Sequence, residues 1–440
     1  LSARKTLFRI ARLLLVFPIT LLLLEGCLRL FPSLIPPFLL VDFNPQCRET
    51  IAARLGFPTE ATVRFLDRSD GGPPRRMRLF RPRAEVTLDV GDDQFVRTVV
   101  MDEEGFCNDR WSSGAEPRRR ELVALGDSFT WCTGVEPDRS WPAVVASRID
   151  VSAINLGSPG IGLYEHLEIL RRFGVPRQPR FVVLSYYEGN DLRDAQSFHV
   201  YRQAVGAGAD ARARRVIKGR PLGRYSYAYN LVVVGSRAIH HGFRKLLFRM
   251  AGVPTGEEPQ PDFRYRLRLP GGDVAFNTGN VDQDEVRAAR ALRSGDLDPA
   301  ILAPGLEELM RLAKQHRFVP VVAYTPSAYT AYEGRVEFQD PDLAELMPWF
   351  SRRQREYLAR KAEEMCFAFV DLTPEFQRAA RDSSNEELLF FPGVLHLTAR
   401  GHEVAAGALA SALRGLPSGG TMTAGSPPPA IPAPAGKDRP

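Results

Sequence analysis

Residues 121–130 read ELVALGDSFT, a short apolar run that stops at Gly126-Asp127-Ser128. The run suits a strand covered on both faces, and the glycine and aspartate after it favour a tight turn. Four further runs of the same kind follow: VSAINL at 151–156, FVVLSYY at 181–187, FVPVVAY at 318–324 and FAFVDL at 367–372. Helical patterns lie between them at 165–173, 305–316 and 350–365. This alternation predicts an α/β fold, a three-layer α/β/α sandwich around a parallel sheet. Open sheets of that type bind ligands beyond the carboxyl ends of their strands, so the residues just after each run are where chemistry is sought.

Working outward, the core domain is expected over 119–415, with about 130 residues between the third and fourth runs, far longer than an ordinary crossover. An insertion of roughly 193–300 is expected there, carrying a helix at 227–250 and a Pro/Gly-rich loop at 253–272. Upstream, 84–90 and 94–101 alternate in hydropathy around Gly91-Asp92-Asp93 and read as a hairpin, a small β element within 43–118. Pro32, Pro36, Pro37 and Pro45 mark an extended tether before it. The tail from Leu416, rich in Pro, Gly and Ala, has too little apolar content to fold and is expected to be disordered.

The first 42 residues are of another kind. Arg4, Lys5, Arg9 and Arg12 precede the uninterrupted apolar run 13–24. Positive charge before such a run predicts a single-pass anchor with a cytoplasmic amino end and an outward-facing remainder. Twelve residues are short for ~30 Å of hydrocarbon, so the span must recruit Ile10 or the apolar residues 28–31. A cleaved signal peptide and a lipidated Cys27, after Leu24-Glu25-Gly26, are the alternatives.

The 440 residues carry 58 basic and 52 acidic side chains, a net charge of +6, of which the leader supplies four. What remains is nearly neutral, which argues against a nucleic-acid partner. A mean hydropathy of −0.20 excludes a polytopic membrane protein. The cysteines, at 27, 47, 107, 132 and 366, show neither a CxxC pair nor finger spacing, and no zinc site is expected. A 107–132 disulfide is permitted outside the cytoplasm, but buried free thiols are the default reading.

After the first run comes Ser128, and after the second the glycine-bearing loop Asn155-Leu156-Gly157-Ser158-Pro159-Gly160. After the third comes Gly189-Asn190-Asp191, and near the carboxyl end His396-Leu397-Thr398 opens a helix to about 413, with Thr398 as its N-cap. Ester cleavage needs a nucleophile, a base to take its proton and donors for the oxyanion. A serine, a histidine, a loop glycine and an asparagine at one sheet edge are of the right types.

In that order these residues resemble the SGNH (GDSL-type) hydrolase superfamily, over about 97–414 apart from the insertion. The resemblance implies Ser128 as nucleophile, His396 as base, and an oxyanion hole made by the N–H groups of Ser128 and Gly160 with the Asn190 amide. Asp127 and Asp191 would be supporting residues; His402 is the rival base. His166, His199, His240, His241 and His316 match no block. The family usually places an aspartate two or three residues before the histidine, where this chain has Gly393 and Val394. A backbone carbonyl, or Glu386, Glu387 or Asp371, would have to orient His396, and a Ser-His dyad is the expectation. Trp111, Trp131 and Trp141 either line a sugar-binding cleft or pack in the core.

The implied function is acyl-ester hydrolysis outside the membrane, on the O-acyl or O-acetyl groups of a small molecule or polysaccharide, without metal or organic cofactor. Related anchored proteins act on O-acetyl groups of exported polysaccharides. An O-acetyltransferase is therefore the first alternative, and a degenerate glycan-binding or scaffold domain the second.

Overall fold

The protein is seen here in a computed structural model that describes residues 16, 19–35, 43–44, 47, 50–51, 54, 63–66, 77–89, 96–108, 121–204, 225–235, 262–278, 283–382 and 387–416. The chain forms two compact units, Leu1–Thr62 with Ala204–Pro259, and Val63–Gln203 with Gln260–Pro440.

The larger unit is built on a parallel sheet of β5 (Leu122–Leu125), β6 (Ala153–Asn155), β7 (Phe181–Tyr187), β10 (Val319–Thr325) and β12 (Ala368–Asp371). All five runs read as strands on sequence are strands. Their order is β12-β10-β7-β5-β6. From β5 the chain first winds outward to β6, then returns to the other side of β5 as β7. The reversal opens a crevice beyond the carboxyl ends of β5 and β7. Every residue of β5, β7 and β10 is buried, as unbroken apolar sequence requires of strands covered on both faces.

Helices flank this sheet. They are α1 (Trp141–Ile149), α2 (Leu163–Ile169), α3 (Asp191–Ala204), α4 (Gln283–Ser294), α5 (Ala303–His316), α6 (Ala328–Ala331), α7 (Leu343–Met365), α8 (Thr373–Arg381) and α9 (Ala399–Gly415). The helix expected at 165–173 begins as α2 and ends in a π turn over Leu170–Gly174. That expected at 350–365 starts earlier, because Pro348 falls inside α7 without ending it.

Smaller antiparallel pieces complete the unit: β1 (Val63–Leu66) with β2 (Met77–Phe80), β3 (Glu85–Asp89) with β4 (Val96–Val100), and a sheet of β8 (Tyr265–Leu269), β9 (Gly272–Phe276) and β11 (Val336–Phe338). The hairpin expected at 84–101 is β3–β4, with Glu85 opposite Val100 and Asp89 opposite Val96. Residues 193–203 and 260–300, assigned to the insertion on sequence, belong to this unit, so the separate segment is the narrower Ala204–Pro259. Of the helix expected at 227–250, residues 227–235 are helical and the rest lie outside the described residues. So does the tail beyond 416, while Leu416 itself, expected in the disordered tail, packs into the core.

In the smaller unit 19–30 are helical and Pro32–Leu34 form one 3-10 turn, where an extended tether was expected. Among the described residues no helix is long and apolar enough to cross a membrane. The leader and residues 13–15, 17 and 18 of the run 13–24 lie outside them.

Cys107 and Cys132 are joined in a disulfide, which corrects the expectation of free thiols. Chain folding makes the pair by packing both cysteines with Val99, Met101, Trp131 and Val135 in a small apolar cluster. The bond closes a loop with a separation of 25 residues. Cys107→Ser is therefore expected to cost ~2–4 kcal/mol of stability. The check is the midpoint of denaturant unfolding, and an unchanged midpoint would count against the bond.

Candidate active site

Ser128 follows β5 on a turn in which the Trp131 N–H donates to the Asp127 carbonyl at 3.0 Å. Gly126 makes the turn possible: a Cβ there would lie 2.1 Å from Thr130 Oγ1. The turn is fastened to the next loop by Asn155, whose Nδ2 donates to the Thr130 carbonyl at 2.7 Å and whose Oδ1 accepts from the Gly157 N–H at 2.9 Å. Asn155 is held in turn through its backbone. Asn108 Nδ2 donates to its carbonyl and Asn108 Oδ1 accepts from its N–H, so one side chain pairs with the exposed edge of β6 as a strand would. Asp102 fixes Asn108 through a bond at 2.9 Å. Nothing in sequence spacing pointed to Asn108, Asp102 or this use of Asn155.

Gly160, on the loop after β6, has φ +69°, and no neighbouring atom lies within 4 Å of where a Cβ would sit. Its left-handed backbone favours glycine, and the space beside it is open.

His396 Nε2 lies 2.8 Å from Ser128 Oγ. The loop that carries it is fixed at several points. The Phe391 N–H donates to the His396 carbonyl at 2.8 Å, the Leu395 N–H to the Phe391 carbonyl at 2.9 Å, and the Asn277 N–H to the Pro392 carbonyl at 2.9 Å. Leu395 takes φ +57°, a left-handed conformation costly for a side chain of its kind and found most often where surroundings over-determine a functional loop. The imidazole stacks on Phe129 at 4.8 Å between centroids, and Phe129 on Tyr187 at 3.6 Å. Thr398 caps α9, accepting from the Gly401 N–H.

Among the described residues no carboxylate bonds to this histidine, whose Nδ1 is sealed from solvent with only the Val394 backbone beside it. Burial lowers the imidazole pKa to about 4, opposed only by the backbone of Val394. Asp371, considered as its partner, instead pairs with Arg355 at 3.2 Å and accepts from the Thr373 N–H at 2.9 Å. Glu387 pairs with Arg400 at 2.6 Å, and Glu386 lies outside the described residues. The rival base is not at Ser128. His402 is buried, its Nδ1 accepts from the Trp141 N–H at 3.2 Å, and burial pushes its pKa to about 3. His166 is likewise buried and held neutral, with its pKa near 3.

Asn190 sits on the turn between β7 and α3, its Nδ2 donating to Asp194 at 3.2 Å. The residue before Gly189 anchors that turn. Glu188 is wholly buried, and its carboxylate accepts four hydroxyls: Tyr324 at 2.9 Å, Ser327 at 3.0 Å, Thr330 at 2.6 Å and Ser351 at 2.9 Å. Its carbonyl accepts from Gln354 Nε2 and its N–H donates to the Thr325 carbonyl. Burial, then the Glu188 charge, raises the Tyr324 phenol well above its ordinary value and keeps it a donor. A carboxylate with every lone pair directed at a donor fixes its backbone firmly, and an unsatisfied one would be costly. The donors come from β10, α6, its N-cap and α7, which explains why local sequence reading passed Glu188 by.

Asp127 and Asp191 are buried below these turns. Asp127 Oδ1 accepts from the Phe129 N–H at 2.9 Å, and Asp191 Oδ2 from the Tyr187 N–H at 2.7 Å. Burial raises the Asp127 pKa to about 7, with the Asp194 charge adding to it. Burial and the Asp127 charge raise Asp191 well above the carboxylate range. Two such neighbours do not both ionise readily, so burial and mutual repulsion push both upward.

Trp131 and Trp141 are buried, Trp131 stacked on Phe80 at 5.1 Å, so neither lines a sugar cleft. Trp111 lies outside the described residues. Among the described residues no group of three or more His, Cys, Asp or Glu is placed to hold a metal ion.

No protein-family model matches the chain, and no curated protein matches it. Solved structures similar to it include a member of the lipolytic G-D-S-L family from Veillonella parvula, at 12% identity over 67% of this chain and 99% of that one, TM-score 0.34. A putative SGNH hydrolase from Slackia heliotrinireducens shows 15% identity over 67% and 98%, TM-score 0.30. A catalytic mutant of an acetylxylan esterase from Geobacillus stearothermophilus shows 15% identity over 68% and 96%, TM-score 0.31.

Proposed function

We propose that the chain is a serine acyl-ester hydrolase of SGNH type, with that family's three-layer fold, acting on O-acyl and in particular O-acetyl esters outside the cytoplasmic membrane. The observation that carries the reading is the 2.8 Å approach of His396 Nε2 to Ser128 Oγ at the sheet's switch point. Gly160 and Asn190 stand on the loops after the two strands that flank β5.

Ser128 Oγ attacks the ester carbonyl carbon while its proton passes to His396 Nε2. The negative charge then on the carbonyl oxygen is met by the N–H groups of Ser128 and Gly160 and by the Asn190 amide. Collapse breaks the bond to the leaving alcohol, which takes the proton from Nε2, and leaves an acyl-serine. Water, losing a proton to Nε2, attacks the acyl carbon. Breakdown frees the acid and returns the proton to Ser128. With no carboxylate at Nδ1 among the described residues, ring stacking, the Val394 backbone and the fixed 390–397 loop hold the imidazole in place.

The Cys107–Cys132 disulfide supports an oxidising compartment. The basic leader before 13–24 supports an anchor that places the domain on the periplasmic side.

The test is fluorophosphonate labelling of the full chain, with acetate release from O-acetylated xylan and aryl acetates. Labelling with acetate release is expected. Acetyl transfer to an added glycan in place of release would make the protein a transferase. No labelling of folded protein would overturn the enzyme reading.

The lowered His396 pKa sets the pH dependence. The base works only when neutral, so kcat/KM is expected to hold from neutral pH down to about 4 and fall below that. Gly393→Asp, at a position outside the left-handed region, is expected to move this limb upward and raise kcat by about tenfold or more, given the ~10⁴ lost when serine proteases are deprived of the equivalent group. A limb already near 6.5 in the wild type would show an unrecognised partner at Nδ1.

A further inference from the structure

The smaller unit brings the amino-terminal helix and the insertion together. Helix 19–30 turns Leu24, Glu25 and Leu28 to one side, where Leu28 joins Ile35, Phe43, Cys47 and Ile51 with Tyr227, Ala228 and Val234 of the insertion. Glu25 is the only acidic residue in the stretch 13–35, and the insertion takes up its charge. Its Oε2 accepts from Ser226 Oγ and from the Ala228 N–H, both at 2.8 Å. Its Oε1 accepts from Arg29 Nε at 2.7 Å, and Arg29 Nη2 donates to the Tyr225 carbonyl while its guanidinium lies 5.0 Å over the Tyr227 ring. Asn44 adds a bond from its N–H to Asn230 Oδ1 at 2.8 Å.

The other side is as apolar as the packed one. Among the described residues the exposed large hydrophobics are Val16, Ile19, Leu22, Leu23, Leu30, Phe31 and Leu34, with Tyr225 and Val232 of the insertion. All of them fall in this unit and none in the larger one. Leu22, Leu23 and Leu30 are at least 70% exposed, which water penalises. A helix whose apolar side chains are exposed as well as packed, with its one carboxylate paired, belongs beside an apolar phase.

We infer that this unit is seated in the bilayer and that the insertion, latched to the amino-terminal helix through Glu25, presents Tyr225 and Val232 to lipid beside it. The inference rests on the membrane location proposed above. Lipid fits the face better than a second copy does. Thr20, the hydroxyl-bearing residue of helix 19–30, already donates to the Val16 carbonyl at 2.9 Å, so its hydroxyl can lie in lipid without losing a partner. Arg4, Lys5, Arg9 and Arg12 lie in sequence just before this apolar face, where anionic headgroups complement them. A carboxylate at the membrane interface must turn inward and find partners, and Ser226, Ala228 and Arg29 are those partners. The insertion thereby gains a role: it is held to the membrane surface by the anchor itself.

The test uses the full chain in phosphatidylethanolamine/phosphatidylglycerol vesicles, with the free cysteines replaced by serine and nitroxide labels placed through Leu23→Cys, Tyr225→Cys or Val232→Cys. All three labels are expected to be relaxed by oxygen in preference to an aqueous nickel chelate. Glu25→Ala is expected to abolish that preference at 225 and 232 but not at 23, and Glu25→Gln, which keeps an acceptor oxygen, to retain it in part. Lipid contact at 23 with water contact at 225 and 232 would overturn the docking and leave the anchor standing. Water contact at all three would overturn the membrane location itself. Labels at 225 and 232 shielded from both reagents would mean a protein partner on this face and would overturn the lipid assignment. Since ester hydrolysis is measured separately, none of these results depends on it.

Discussion

Ser128→Ala is expected to reduce kcat by ~10³ to 10⁶, to the level left by binding and the oxyanion donors alone, and to abolish fluorophosphonate labelling. His396→Ala should do nearly the same, because a serine hydroxyl without a base within reach is a poor nucleophile at neutral pH. The two losses should not add. Groups that act as one unit lose their function together, so the double variant should resemble either single one. The stability of Ser128→Ala should hardly change, since among the described residues the Ser128 side chain bonds only to His396. The measurement is acetate release beside a thermal unfolding curve for each variant. A Ser128→Ala protein that keeps a tenth of its activity would remove the serine from the mechanism.

Asn190→Ala comes second, with an expected loss of ~10² to 10³ in kcat and little change in KM, because the amide meets charge that exists only in the transition state. Its backbone is placed by Glu188, whose four hydroxyl donors converge from β10, α6, its N-cap and α7. Glu188→Gln keeps the shape and removes the charge, and it should lower kcat in the same direction by a smaller factor. The decisive comparison is the double variant. If Glu188 acts through Asn190, Glu188→Gln should cost almost nothing further once Asn190 is alanine; independent multiplication of the two effects would mean that Glu188 only supports the fold.

Much of the larger unit was legible because it is encoded locally. Unbroken apolar runs marked the five buried strands, and alternation marked the β3–β4 hairpin. Thr398 announced the start of α9 by the chemistry of helix caps. Ser128, Gly160 and Asn190 were legible from their places just past the ends of strands, and His396 from its place just before a helix. Ser128 and His396 meet across 268 positions of sequence.

Other features were invisible for a common reason: they depend on which distant residue arrives beside a given one. Asp371 ends a strand as expected, yet Arg355 of α7 claims it, and no acid among the described residues bonds to the imidazole. Trp131 and Trp141, near the nucleophile in sequence, are buried, Trp131 against the distant Phe80. The insertion was drawn too wide, since β8, β9 and α4 lie within its span but bury their apolar faces against the larger unit.

Sequence by itself determined the strands, their αβ alternation and the kinds of chemical group at their ends, since hydropathy period and turn preference act over a few residues. Tertiary structure alone decided the strand order that opens the crevice at β5, the Cys107–Cys132 bond, the hydroxyl cage around Glu188 and the burial of His396 Nδ1. Each of those is a meeting of residues far apart in the chain, and what selects it is the burial of whole faces rather than any preference of the residues themselves.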